Sequence, residues 1–314
     1  MFTIFRKEIA DHFNSTRFLI LFCLVLCVAL LTTYMVSMNL RSQLSGGAKA
    51  EYIFLMLFTT SGEFFSLTQF IAFFGPLIGV IMGFDAINRE RNTGTLSKLL
   101  SQPVYRDAIV NAKFLAGLAT ISIMFVSLVL LLSGLGMVAI GVVPSGEEVA
   151  RLIVYMLISV IYVGFWLGMA ILFSVIFRSV GTAALASVAL WIFVSFFIGF
   201  GYRFIADVIV PPDQDNPEVM VKNARIREGI SRVSPVNLYS DATSTILDPY
   251  RRTTKSFVLL GPMDAIFMSR FQNALPLTQS LLVVAPYLIT ILAMTVVCFG
   301  ISYLIFMKQE IRSI

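Results

Sequence analysis

Few side chains in this sequence have the type and spacing needed for chemistry. Cys23 and Cys27 are four residues apart, which places both thiols on one face of a helix, a spacing that metal sites can use. No carboxylate accompanies them, and His12, the only histidine, fits the polar border of an N-terminal helix. Two small packing residues are therefore the better interpretation, and we expect no metal site. Three cysteines are also too few for a disulfide scaffold.

The machinery for using chemical energy is also missing. The sequence contains no G-x-x-x-x-G-K-[ST], the motif whose backbone amides cradle nucleotide phosphates. Its long apolar stretches contain no internal charged residue, which counts against proton relays, voltage sensors, most secondary transporters and intramembrane hydrolases. We therefore expect no catalytic residue and no cofactor in this chain.

The elements that position these residues lie in a membrane. Hydrophobic residues make up 58% of the 314 residues and charged residues 13%, with a mean hydropathy of +0.87. Soluble domains average about 45–50% apolar and roughly 25% charged residues. Charge-free stretches long enough to span a bilayer predict an all-α integral membrane protein with six transmembrane helices, at 18–40, 64–84, 114–141, 152–177, 179–202 and 286–307.

The distribution of positive charge predicts the orientation. The short outer loops hold only Arg41, Lys49 and Arg151, whereas the inner segments hold most of the remaining basic residues. This predicts an N-in/C-in, multi-pass protein of a prokaryotic-type cell membrane. A cleavable signal peptide is the competing reading of the N-terminus, but Phe18–Met38 is too long and no A-x-A site follows.

Besides the short connecting loops, four segments lie outside the spans. Residues 1–17 predict an amphipathic interfacial helix, with Phe2, Phe5, Ile9 and Phe13 on one side and Arg6, Lys7, Glu8, Asp11 and Asn14 on the other. Residues 85–113 form a charged inner loop, read either as a docking surface for a soluble partner or as a plain solvated loop. Residues 203–285 form a helical extracytoplasmic region, and 308–314 an inner tail.

Within the outer region, the sequence predicts how a helix begins. Ser234 followed by Pro235 is typical of an N-cap and a first-turn proline. The apolar stripe Leu238, Tyr239, Ala242 and Ile246 predicts that this helix rests on the outer membrane surface. Leu275–Pro286 is too short to span and is read as a re-entrant or interfacial segment.

Glycines at four-residue spacing predict close helix packing. Gly75, Gly79 and Gly83 repeat on the second span, beside Pro76, and Gly164 and Gly168 repeat on the fourth. Ordinary packing within the chain and a subunit interface or moving element are both consistent with these patterns.

The inner loop carries a family resemblance. Residues 84–96 (FDAINRERNTGTL), followed by Leu99-Leu100-Ser101-Gln102-Pro103-Val104 and Arg106, resemble the signature of ABC-2-type transporter permeases. The N-terminal Arg6-Lys7-Glu8, Ser234-Pro235 and the tail 306–312 agree, in order along the chain. The branch it resembles is the one related to nitrous-oxide-reductase maturation permeases.

The resemblance implies a coupling helix between spans two and three, seated in a cleft of a separate ATPase. Carried over by position, the contact residues are Asn88, Arg89, Glu90, Arg91, Thr93, Gly94, Thr95 and Leu96. The N-terminal helix adds a second contact through Phe5, Arg6, Lys7 and Glu8.

The implied function is the permease subunit of an ATP-driven exporter. Its partners would be two cytoplasmic ATPase subunits, which bind ATP and Mg²⁺, and a second permease copy or a paralogue in the surrounding lipid. A non-transporting membrane anchor or maturation factor is the alternative, and a lone channel or intramembrane enzyme is a third reading. The 28 phenylalanines fit apolar or amphipathic cargo, but they equally fit side chains that face lipid.

Overall fold

The computed structural model describes residues 1–45, 52–59, 66–96, 101, 105–211, 217–250 and 274–309. Within these ranges the regular structure is helical, which confirms the all-α prediction. The helices are α1 (Phe2–Phe13), α2 (Thr16–Ser45), α3 (Ile53–Thr59), α4 (Leu67–Gly83), α5 (Asn88–Asn92), α6 (Arg106–Ile140), α7 (Gly146–Ile176), α8 (Val180–Ile192), a π-helical turn (Phe193–Ile198), α9 (Gly199–Ile209), α10 (Pro217–Ser231), α11 (Pro235–Leu247) and α12 (Leu277–Lys308).

As predicted, six helical segments of the described chain are long and apolar enough to cross a membrane. Two of them combine consecutive elements, α4 with α5 and α8 with the π-helical turn. The spanning segments are Thr16–Met38, Leu67–Asn92, Arg106–Ile140, Gly146–Ile176, Val180–Ile198 and Leu277–Lys308. The N-terminus and the end of α12 lie at one end of this bundle, called here the terminal end. The helices α3 and α11 lie at the other, called here the opposite end.

Three of these helices begin before the charge-free stretches do. Those stretches place the starts at 18, 114 and 152, whereas the helices start at Thr16, Arg106 and Gly146. The difference arises because a helix end can carry charged residues that other elements or water satisfy.

The sixth span also begins earlier than predicted, at Leu277 instead of 286. The prediction took Pro286 as its start, but this proline lies inside α12. The region from Leu277 to Pro286 is therefore the first part of α12 and not a separate interfacial segment.

Capping residues set several helix starts. Ser145 and Glu148 form a capping box at the start of α7, and Ser66 and Gln69 form another at the start of α4. The Ser234 side chain caps α11 with Pro235 in the first turn, as the sequence predicts.

The helix α7 is the centre of the bundle, and the glycines allow its close approach. A Cβ on Gly79 would lie 2.6 Å from the Val163 carbonyl oxygen, and one on Gly83 would lie 2.8 Å from that of Leu167. Only hydrogen fits at such distances, so α4 and α7 pack backbone to backbone. On α7 itself, a Cβ on Gly164 would lie 2.8 Å from Leu118 of α6. Gly75 and Gly168 face α7 and α6 with more room.

Pro76 lies inside α4, and a tyrosine satisfies the backbone group that it leaves open. A proline has no N–H, so the carbonyl of Ala72, four residues earlier, loses its helical donor. The Tyr162 hydroxyl on α7 donates to that carbonyl oxygen at 2.6 Å. The α4–α7 contact therefore includes a hydrogen bond that exists because of the proline.

The position of α11 differs from the prediction that this helix rests on the outer membrane surface. Its stripe Leu238, Tyr239, Ala242 and Ile246 is buried, and it packs against α3, α4, α7 and α12 instead of resting on the membrane surface. The Tyr239 ring stacks on Tyr162 at 4.3 Å between ring centroids. An apolar stripe has the same pattern whether protein or lipid covers it, so periodicity could not separate the two.

Candidate functional site

The segment that follows α4 is anchored on α7. The Ser174 hydroxyl accepts hydrogen bonds from the backbone N–H groups of Ile87 (2.9 Å) and Asn88 (3.2 Å), which have no helical partner at the start of α5. The buried Asn88 amide donates to the carbonyl oxygens of Phe84 and Ser179. These bonds fix where α5 leaves the bundle.

Lys113 connects three elements beneath α5. Its ammonium nitrogen lies 2.9 Å from Glu8 Oε1 on α1 and 2.9 Å from Glu90 Oε1 on α5. The Lys113 side chain is 5% exposed, and those of Glu8 and Glu90 are 11% and 13% exposed. A buried ammonium needs carboxylate partners, so removing either glutamate weakens the whole contact. We call these three residues the Lys113 junction; the sequence resemblance named both glutamates but not the lysine that joins them.

A further ion pair holds the segment to α2. Asp85 accepts from Arg17 at 2.6 Å and lies 3.9 Å from Arg89. The Arg17 guanidinium also lies over the Phe84 ring, 5.3 Å from its centroid. The start of α2 is therefore tied to the end of α4.

Gln309, just after α12, completes this end of the bundle. Arg91 donates to its side-chain oxygen, and Arg106 donates to its backbone oxygen at 3.2 Å. The Gln309 amide donates in turn to the Val175 carbonyl at 3.0 Å. Five spanning helices are thus linked at the terminal end to the segment that follows α4.

The eight residues expected at the coupling contact divide into two groups. Arg89, Thr93, Gly94 and Thr95 are exposed, whereas Asn88, Glu90, Arg91 and Leu96 are partly or fully buried. Gly94 has a φ of +70°, which favours glycine, and its Cβ position meets open space. The exposed four form the surface that a partner could reach. Residues 97–100 and 102–104, the rest of this signature, lie outside the described part of the chain.

The N-terminal contact residues also divide. Arg6 and Lys7 are exposed, Phe5 is half-buried, and Glu8 is buried against Lys113. The helical pattern placed Glu8 on the polar side, and the structure turns it toward α6 because Lys113 supplies its counter-charge. Phe2 is 75% exposed, so the apolar edge of α1 remains available to lipid.

His12 lies beside the Lys113 junction. Burial lowers its pKa, the Glu8 carboxylate opposes that shift, and the Lys113 ammonium adds to it, with smaller contributions from Asp85 and Asp11 that raise it. The imidazole is therefore neutral at neutral pH. The sequence reading, which left His12 on a polar border, did not anticipate this burial.

A second buried cation, which sequence reasoning missed as a site, lies at the opposite end. The Arg151 side chain has 0% exposure. It pairs with Glu147 at 2.8 Å, and donates to the carbonyl oxygens of Ile246 (2.8 Å) and Leu275. We call this the Arg151 junction; it joins α7 to the end of α11 and the approach to α12. The i,i+4 spacing of Glu147 and Arg151 was the available sequence signal.

No group of three or more potential metal-ligating side chains occurs among the residues that the structure describes. Cys23 and Cys27 are exposed on α2. Their four-residue spacing is as in the sequence, and they belong to no group of three or more potential metal ligands among the described residues.

Comparison with known proteins agrees with this architecture. Residues 2–311 match the family model described as ABC-2 family transporter protein. No curated protein matches the chain. Since the matched family covers nearly the whole sequence and the structure has six spanning helices, this chain belongs to the ABC-2 transporter family and is a multi-pass membrane component of a transporter.

Proposed function

We propose that the chain is the permease subunit of an ATP-binding-cassette exporter. It moves a substrate out of the cytoplasm or inner leaflet, and a separate ATPase subunit binds ATP and Mg²⁺ and hydrolyses the nucleotide. Two ATPases and a second permease copy or paralogue complete the assembly. The proposal places the terminal end in the cytoplasm, in accord with the excess of basic over acidic residues in the segments at that end.

The observation that carries the proposal is the position of the Lys113 junction behind an exposed turn. Arg89, Thr93, Gly94 and Thr95 face outward, and Glu90, one residue from Arg89, faces inward to Lys113. A force on the turn therefore reaches the start of α6 through Lys113, and reaches α1 through Glu8. A plain solvated loop needs no buried ion pair at its base.

In the proposed cycle, ATP binding moves the ATPase, and the turn moves with it. Because α5 is fixed to α7 through Ser174 and to α6 through Lys113, both spanning helices tilt together. Two states with different affinity for the ATP-bound partner are the requirement for this coupling.

The test has two steps. The tagged chain is purified from native membranes in mild detergent, and a stoichiometric soluble protein with a P-loop is expected with it. Thr95→Glu is then compared with Thr182→Glu, an exposed threonine at the start of α8, where an acidic residue is favourable. We expect Thr95→Glu to lower co-purification and ATP hydrolysis and Thr182→Glu to leave both unchanged. Purification of the chain alone, or equal effects of the two variants, would contradict the proposal.

A non-transporting anchor or maturation factor is the alternative that the resemblance to maturation permeases favours. It predicts the same ATPase complex with hydrolysis that no cargo changes. Reconstitution with apolar and amphipathic candidates, with ATP turnover as the readout, separates the two.

A further inference from the structure

Three arginines at the terminal end lie around one neutral side chain. Arg91 of α5 donates to the side-chain oxygen of Gln309, and Arg106, the first residue of α6, donates to its backbone oxygen at 3.2 Å. The Gln309 amide donates to the Val175 carbonyl oxygen at 3.0 Å, which holds in place the residue that both guanidinium groups contact. Arg178, in the turn between α7 and α8, is close enough for its positive charge to oppose that of Arg91. We call Arg91, Arg106 and Arg178 the arginine cluster.

Carboxylates are distributed unevenly across this end of the bundle. On the side of α1 and α2, Glu8, Asp85 and Glu90 each lie within ion-pair distance of a basic side chain. Within the described part of the chain, no member of the arginine cluster makes an ion pair, and neither does Asp107, which follows Arg106. The positive-inside tendency explains basic residues at this end, but it does not explain why three of them lie together without a carboxylate.

The cluster is partly built into the bundle and partly open. Arg91 and Arg106 are half-buried, and Arg178 is exposed. Like charges on half-buried groups repel each other, and an anion between them replaces that repulsion with attraction. The helix α6 begins at Arg106 without a side-chain cap, so its first backbone N–H groups add positive partial charge.

The position of the cluster along the spans indicates its depth. The charge-free stretch of α7 ends at Phe177, immediately before Arg178, and that of α12 ends at Met307, two residues before Gln309. Charged residues resume where the hydrocarbon core ends. The cluster therefore lies at the depth of the headgroup layer, which phosphates from the lipid and from the solvent both reach.

We propose that the arginine cluster is a binding site for a phosphate group, supplied by a phospholipid headgroup or by soluble phosphate. A guanidinium presents parallel N–H donors that match two oxygens of a phosphate, which is why arginine is favoured at such sites. Gln309 orients Arg91 and Arg106, and Arg178 completes the site from the α7–α8 turn. The bound phosphate joins α5, the start of α6 and this turn.

Thermal unfolding of the purified, delipidated full chain in a nonionic detergent tests both sources. Phosphatidylglycerol is compared with diacylglycerol, which has the same acyl chains but no phosphate. Sodium phosphate is compared with sodium chloride at equal ionic strength. A rise in the unfolding temperature above the control with the lipid identifies a headgroup site, and a rise with sodium phosphate identifies a site for the soluble anion. If neither phosphate exceeds its control, the proposal is wrong.

Arg178→Gln separates a phosphate site from general surface charge. Arg178 is exposed, so its replacement should preserve the fold. The phosphate concentration needed for half of the response should rise at least about tenfold, the contribution of one charge-assisted hydrogen bond. Without phosphate, the variant should unfold at a slightly higher temperature, because one of three like charges is gone. Arg6→Gln, at an exposed position of α1 at the same end, is the matched control and should keep the full response. Equal losses in the two variants would overturn the proposal.

Two other anions that could occupy the cluster give distinct results. Glu310 follows Gln309 in the sequence and lies outside the described residues. If phosphate stabilises Glu310→Gln but not the unchanged chain, the chain supplies its own carboxylate and the proposal is wrong. If Arg178→Gln lowers ATPase co-purification while neither phosphate source stabilises the chain, the cluster contacts an acidic protein surface instead.

The phosphate site does not depend on the proposed transport function. The unfolding measurements use the chain without an ATPase, so a chain that purifies alone would contradict the exporter proposal and leave the phosphate result unchanged.

Discussion

The two ends of the bundle each contain a buried cation, but they use different partners. Lys113 at the terminal end pairs with two glutamate side chains, on α1 and α5. Arg151 at the opposite end pairs with one glutamate and also donates to the Ser280 hydroxyl and to two backbone carbonyls next to α11 and α12. The Lys113 junction connects side chains only, whereas the Arg151 junction also connects a side chain to the backbone.

The difference bears on which end can move. Side-chain pairs such as Lys113 with Glu8 and Glu90 can separate by rotamer changes while the helices stay intact. The carbonyls of Ile246 and Leu275 can leave Arg151 only if the backbone shifts, which would expose unsatisfied polar groups. We therefore expect a rigid opposite end and a more adjustable terminal end, which is where the proposed ATPase contact lies.

The largest expected effect is at Arg151. Arg151→Met removes the counter-charge of Glu147 and the side-chain donor to two carbonyls, and breaking such a buried contact costs about 3–5 kcal/mol. Thermal unfolding in detergent should show this loss. Arg232→Met is the matched control, since Arg232 also pairs with a glutamate four residues earlier but is 52% exposed. There we expect about 0–1 kcal/mol. Equal losses would mean that the Arg151 junction is not a rigid contact.

The next effect is at Lys113. Lys113→Met removes the counter-charge that two buried carboxylates share, and we expect a loss of about 2–3 kcal/mol. The loss is smaller than at Arg151 because glutamate side chains can rotate toward water, whereas the backbone carbonyls at Arg151 cannot. Adding Glu8→Gln and Glu90→Gln should restore part of that stability by removing the uncompensated charge. Thermal unfolding and proteolysis of the N-terminal helix measure the two steps. An absence of recovery in the triple variant would contradict the pairing.

The α4–α7 contact lies between the two junctions. Gly79→Ala places a methyl group within 2.6 Å of the Val163 carbonyl, so the helices must separate. We expect a loss of about 1–3 kcal/mol in the free energy of unfolding, typical of overpacking. Gly134→Ala on α6, where a Cβ meets nothing within 4 Å, should be neutral or slightly stabilising. A tolerated Gly79→Ala would show that the close contact is not needed to connect the ends.

The smallest effect is a pH dependence confined to the terminal end. Burial lowers the His12 pKa from 6.5, so the unfolded chain binds the proton more readily than the folded one. The stability that this provides is complete above pH 6.5 and is lost as the pH falls below it. His12→Gln should flatten the unfolding temperature across that range, with Asp248→Asn at the opposite end as control. If the slope persists in His12→Gln, another group is responsible.

The extent to which the structure could be predicted from the sequence differs between these regions. The spans were predictable because composition and charge are local properties, and the caps at Ser145 and Ser234 because capping involves residues three apart. The candidate site could be predicted only as a stretch of sequence, and not as a set of side chains in contact. The resemblance named Glu8 and Glu90, but Lys113 is 105 residues from Glu8 and Ile246 is 95 residues from Arg151. No local pattern reports such pairs.

The sequence by itself determined that this chain is an all-α membrane protein with six spans and an ABC-2-type signature after the second. The tertiary structure decided which side chains of that signature are exposed and that other helices cover α11. It also decided that a buried cation joins helices at each end of the bundle. The reason is physical: transfer of a span to lipid depends on its own side chains, whereas burial of a charge depends on partners that only folding brings together.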